Sequence, residues 1–98
     1  MLEKRIDLNR AVTEEEFLNL ILEKFPDWKI DYGGTLKKYP RSFHYHITST
    51  KANHTGVLEI SVIFEASNTI VMLKLASNRI GNWSQPAFND LEKYLLTR

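Results

Sequence analysis

The sequence predicts an α+β domain: an antiparallel β-sheet of about four strands, flanked by an N-terminal and a C-terminal helix packed on one face. Three observations carry this order, α-β-β-β-β-α. An amphipathic segment with a complete N-terminal cap opens at Thr13. The hydrophobic period then drops from about 3.6 to 2 after Pro26, and it returns to helical spacing beyond Ser84. Ninety-eight residues with 43% hydrophobic content suit one core, so residues 13–98 are read as a single domain.

The first helix is the best-marked element. In Thr13-Glu14-Glu15-Glu16 the Thr13 hydroxyl can accept from the Glu16 backbone N–H while the Glu16 side chain reaches back. Val12 and Phe17 stand where a hydrophobic staple belongs, and three glutamates suit the positive end of the helix dipole. Phe17, Leu18, Leu20, Ile21, Leu22 and Phe25 form the apolar face, and Pro26 ends the helix by disfavouring the α region at Phe25.

Four strands follow. Trp28, Ile30 and Tyr32 alternate with Lys29 and Asp31 until Gly33-Gly34 ends the run. Phe43, Tyr45 and Ile47 alternate with His44, His46 and Thr48, and Leu58, Ile60, Val62 and Phe64 alternate with Glu59, Ser61 and Ile63. Val71, Leu73 and Leu75 alternate with Ile70, Met72 and Lys74, after a turn at Ser67-Asn68. Short connections favour an antiparallel meander. On this parity Trp28, Tyr32, Tyr45, Ile60 and Leu73 face the core. The last helix starts near Ser84, with Pro86 tolerated in its first turn and Phe88, Leu91, Tyr94 and Leu95 as its apolar stripe. Residues 1–12 read as an edge strand or a flexible tail, since Ile6 and Leu8 alternate with Asp7 and Asn9.

Composition narrows the function classes. The chain has no cysteine, which excludes disulfides, thiolate metal sites and a Cys nucleophile. Its longest apolar run is Ile70 to Leu73, far too short for a membrane span, and the N-terminus has no signal-peptide core. A soluble, cytoplasmic protein with no membrane partner is expected. Phosphate-binding loops, dinucleotide loops, nucleophile elbows and H-E-x-x-H are all missing. His46-Ile47-Thr48 fits the His-x-Thr pattern of two-histidine phosphoesterases, but the second motif those enzymes require is absent. The expectation is a non-enzymatic binding module with no cofactor.

Three surfaces are candidates for that binding. Formal charge totals +1, yet residues 1–31 carry −3, residues 32–58 carry +4 with no acid, and residues 59–98 carry 0. A basic stretch interleaved with aromatics suits an anionic partner, nucleic acid or a phosphorylated ligand, through Lys37, Lys38, Tyr39, Arg41, His44, His46, Lys51 and Arg79. Arg79 belongs to a connector in which Trp83 caps the core edge and the next helix begins. Secondly, Ile63, Ile70 and Met72 fall on the polar face of the sheet, a pattern that suits a protein partner or a homodimer.

Thirdly, His44-x-His46 places two imidazoles on one side of a strand, about 6.5–7 Å apart at their backbones and within reach of one metal ion. An ordinary hairpin through Lys51–Gly56 sets His46 beside Ser61 and diagonal to Glu59. Glu59 is then the natural third ligand of a small metal-dependent enzyme, with His54 as competitor.

Overall fold

A computed structural model describes residues 2–36 and 39–97 of the chain, and of residues 36, 39 and 40 the backbone alone. Its elements are β1 (Leu2–Asp7), α1 (Glu14–Lys24), β2 (Trp28–Leu36), β3 (Tyr39–Ser49), β4 (Leu58–Phe64), β5 (Thr69–Leu75), a 3-10 turn (Ser77–Arg79) and α2 (Ser84–Leu96). The strands form one antiparallel sheet in the order β1-β5-β4-β3-β2. The α+β class, the antiparallel meander and the two helices match the expectation; the strand count is five, not four. Among the described residues no helix is long and apolar enough to cross a membrane.

The additional strand is the N-terminal segment. β1 pairs with β5 from Leu2 opposite Leu75 to Asp7 opposite Ile70, satisfying an edge that would otherwise stand open. Ile6 is the one buried residue of β1, at 4% exposure. Its other positions are exposed, so burial alone would not mark the strand; of the two readings of residues 1–12, edge strand or flexible tail, the structure forms the edge strand over Leu2–Asp7. Such charged, water-facing edges resist pairing with another chain.

Both helices lie on one face of the sheet. Trp28, Tyr45, Ile47, Leu58, Ile60, Val62, Val71, Leu73 and Leu75 point toward them, meeting Phe17 and Ile21 of α1 and Ala87, Phe88, Leu91 and Leu95 of α2. The α1 side is fixed by Phe17 edge-on to Phe64, with centroids 6.2 Å apart. The α2 side is tied to the first strand by Lys4 and Glu92, 3.7 Å apart. Phe25 stacks on Trp28 at 3.9 Å, and Trp28 meets Trp83 edge to face, so the connector's tryptophan closes the end of the core.

The α1 cap forms as expected. Glu16 N donates to Thr13 Oγ1 and Thr13 N donates to Glu16 Oε1, each at 3.1 Å. Val12 and Phe17 are both buried. Replacing Thr13 by Ala leaves the Glu16 N–H without its partner. It is expected to cost about 1 kcal/mol, read as a lower urea midpoint with an unchanged slope.

Two sequence expectations are corrected. Gly33-Gly34 does not end a strand: β2 continues to Leu36 through register irregularities between Tyr32 and Gly34 and again between Gly34 and Leu36. Tyr32 lies on the helix side of the sheet but is 57% exposed, because β2 is the outermost strand and α1 does not extend over this end of it.

Candidate metal centre

The face turned away from the helices is organised by the β3–β4 register. His44 stands opposite Ser61 and His46 opposite Glu59. This differs by one cross-strand pair from the expected hairpin, which set His46 beside Ser61. The cause lies in the connection between the strands. Thr55 N donates to Asn82 Oδ1 at 2.8 Å and Val57 N to the Arg79 carbonyl at 3.0 Å, so these residues bind the segment before α2 rather than β3. The shift places Glu59 directly across from His46.

The result is a compact group. One ligand atom from each of His44, His46 and Glu59 lies within 4.8 Å of the others. His44 Nε2 is 3.2 Å from His46 Nε2 and 3.8 Å from Glu59 Oε2. Bonds of about 2.0–2.1 Å in a tetrahedral site put neighbouring donor atoms about 3.3–3.4 Å apart, so these two separations need only small side-chain adjustments to share one ion. The His44 and Glu59 side chains are 20% and 12% exposed.

Two of the three side chains, His44 and Glu59, are held from behind. His44 Nδ1 is hydrogen-bonded to Ser61 Oγ at 2.9 Å, which orients the ring so that Nε2 faces His46. Arg79 Nε donates to Glu59 Oε1 at 3.0 Å, leaving Oε2 as the oxygen nearer His44. The backbone bulge at Gly33 makes room for the imidazole. A Cβ there would lie 3.0 Å from His44 Cδ2 and 3.2 Å from its carbonyl oxygen, so the absent side chain lets the edge strand pass close.

Electrostatics keep His44 neutral. Burial lowers its pKa below the usual 6.5, and the charge of His46 lowers it further; Glu59 pulls it up, and Lys74 and Arg79 push it down. At neutral pH the His44–Glu59 approach is therefore not an ion pair, and the ring keeps a nitrogen lone pair for a ligand. In ion-free protein the His44 ring resonances are expected to titrate below pH 6.5, as followed by NMR. The unfolded chain binds this proton more readily than the folded one. The contribution to stability is thus present above pH 6.5 and lost as pH falls through the folded-state value. A His44 titration at or above 6.5 would contradict the assigned burial.

The other sequence candidates are dispersed. His54 is hydrogen-bonded to Ser49 Oγ at 2.6 Å at the far end of β3 and is no part of the group. Lys51 pairs with Asp27 at 3.6 Å. Arg41 is exposed near the opposite end of the strand, about 26 Å from Ser49 at 3.3 Å per residue. Tyr39 is the first residue of β3, and Lys37 and Lys38 lie outside the described residues. The structure thus joins Arg79 to the histidines and separates Arg41 from Lys51.

Ile63 stands opposite Ile70, and Met72 opposite Ser61. β1 sets Asp7 beside Ile70 and Arg5 beside Met72. Ile70 is 7% exposed, while Ile63 and Met72 are half-buried.

Comparison with protein-family models, curated proteins and solved structures gave no match. The site therefore has to be read from its own chemistry. The sequence pointed to both histidines and to Glu59. It did not reveal the roles of Ser61, Arg79 and Gly33, which depend on the register and on a long-range crossing.

Proposed function

We propose that this chain is a metal-binding module that holds one divalent transition-metal ion, zinc by preference, through His44, His46 and Glu59. The observation carrying this reading is the convergence of two imidazole nitrogens and one carboxylate oxygen within 4.8 Å. Two nitrogens and one oxygen suit zinc, whereas magnesium and calcium favour sites built from oxygen. The neutral state of His44 and its Ser61 partner support it further, because metal ligands must be deprotonated and are commonly oriented through their other ring nitrogen. Arg79 works in both directions: it fixes the carboxylate, and its positive charge reduces the affinity that the three ligands would otherwise have.

Three protein ligands leave the fourth corner of a tetrahedral ion to water or an external donor, where the ion would act as a Lewis acid. Binding of an anionic partner by the basic segment has weaker support, since Lys51 and Arg79 already face carboxylates and Arg41 stands far from Lys51. The test is calorimetric titration of metal-stripped protein with zinc. One equivalent should bind to the wild type and to His54→Ala, and His46→Ala should lose at least about tenfold in affinity. Equal binding by the wild type and His46→Ala would overturn the assignment.

A further inference from the structure

A cleft lies on the other face of the sheet, beside the first turn of α1. About 320 Å³ in volume, it is lined by Glu14 and Leu18 of α1, Ile30 and Tyr32 of β2, and Phe43 and Tyr45 of β3. It exists because α1 begins at Glu14 and leaves the Tyr32 end of the outermost strand uncovered. Tyr32 is consequently 57% exposed, although it belongs to the face that elsewhere forms the core. Glu14 and Leu18 are four residues apart and so share the helix side that overlooks the cleft.

Three rings meet here, of which Tyr32 is exposed, Phe43 half-buried and Tyr45 buried beneath them. The Tyr32 centroid is 5.8 Å from that of Tyr45 and 6.0 Å from that of Phe43, with interplanar angles of 60° and 48°. The faces of such rings are electronegative and attract a cation placed within about 6 Å of the centroid. Among the described lining residues the one formally charged group is the Glu14 carboxylate, whose Oε2 accepts a hydrogen bond from the Tyr45 hydroxyl. Burial, followed by the Glu14 hydrogen bond and charge, raises the Tyr45 pKa, so the phenol stays protonated and keeps the carboxylate in place.

The lining also distinguishes among cations. Leu18 and Ile30 are apolar walls that cannot replace the water lost by a metal ion or a bare ammonium group. A methylated ammonium sheds water at little cost and presents carbon and hydrogen to those walls while its charge faces the rings and Glu14. Anions are disfavoured by the same ring faces and by the carboxylate.

We propose that this cleft binds a small quaternary ammonium compound of choline size, against the rings of Tyr32 and Phe43 and beside the Glu14 carboxylate, with the buried Tyr45 as the floor. The site stands on the face opposite His44, His46 and Glu59 and does not depend on a metal ion.

The test is a pair of NMR titrations of the intact chain. One uses choline; the other uses 3,3-dimethylbutan-1-ol, its uncharged isostere. Choline should perturb the resonances of Tyr32, Phe43 and Tyr45 and bind about fivefold or more tightly than the alcohol. Tyr32→Ala should weaken choline by a similar factor, whereas Tyr32→Phe should retain binding. Because Tyr32 is more than half exposed, both variants should keep the wild-type fold, with the Trp28 and Trp83 indole resonances as the check. Equal affinity for the two compounds would identify a merely apolar groove and overturn the proposal. So would choline binding that is unaffected by Tyr32→Ala, or no binding of choline at all.

Discussion

Zinc at a hundred times its dissociation constant is expected to raise the thermal midpoint of this protein by about 10–20 °C. Binding confined to the folded state at that concentration stabilises by about 2.7 kcal/mol. A domain of this size gains about 4–8 °C for each kcal/mol. Circular dichroism melts with and without zinc measure the effect. His46→Ala should abolish the shift, because removal of one of three ligands leaves a pair too weak to hold the ion at the same concentration. The gain should shrink as pH drops, since protons compete for the imidazoles and the carboxylate. The low proton affinity of His44 confines this competition, at that ligand, to pH values below 6.5. A midpoint that rises equally in His46→Ala would place the zinc elsewhere. A midpoint that does not move at all would rule out a site of useful affinity.

The second large effect is structural. Gly56→Ala is expected to destabilise the fold by roughly 3 kcal/mol, combining backbone strain with an overpacked crossing. Gly56 has φ of 97°, in the left-handed region, and a Cβ there would lie 2.1 Å from Ser84 Oγ and 2.8 Å from the Arg79 carbonyl. Ser84 is fully buried, and its hydroxyl donates to that same carbonyl at 2.9 Å while accepting from Gly81 N at 2.8 Å. The substitution therefore strains the chain, displaces a satisfied buried hydroxyl and shifts the residue that holds Glu59. Urea unfolding should show the loss in the midpoint, and zinc affinity should fall with it. A cost below about 1 kcal/mol, the range of ordinary substitutions, would mean that the crossing relaxes freely.

Local patterns were legible in the sequence, and long-range hydrogen bonding was not. The α1 cap could be read because Thr13, Glu16, Val12 and Phe17 interact within five residues of one another. The strand parities could be read because burial on one face imposes a period of two. β1 could be read only as one of two alternatives, edge strand or tail, because Ile6 is its one buried residue. The β3–β4 register escaped because Thr55 and Val57 donate to partners more than twenty residues away. Gly33-Gly34 looked like a strand end, whereas it forms a bulge that accommodates the His44 ring. At the candidate metal centre His44, His46 and Glu59 carried a spacing signal, while Ser61 and Arg79 could be placed only once the register and the 55–57 crossing were known.

The strand order also governs when the sheet can be completed. β2 to β5 are neighbours along the chain and can zip together through successive short connections. β1 must pair Leu2 with Leu75, so the first segment of the chain is among the last to find its place. Until then the outer edge of β5, with its buried Val71, Leu73 and Leu75, stands unprotected. An N-terminal extension that delays this pairing would prolong the interval in which two copies can join edge to edge. Once paired, the charged first strand closes that edge to a second copy.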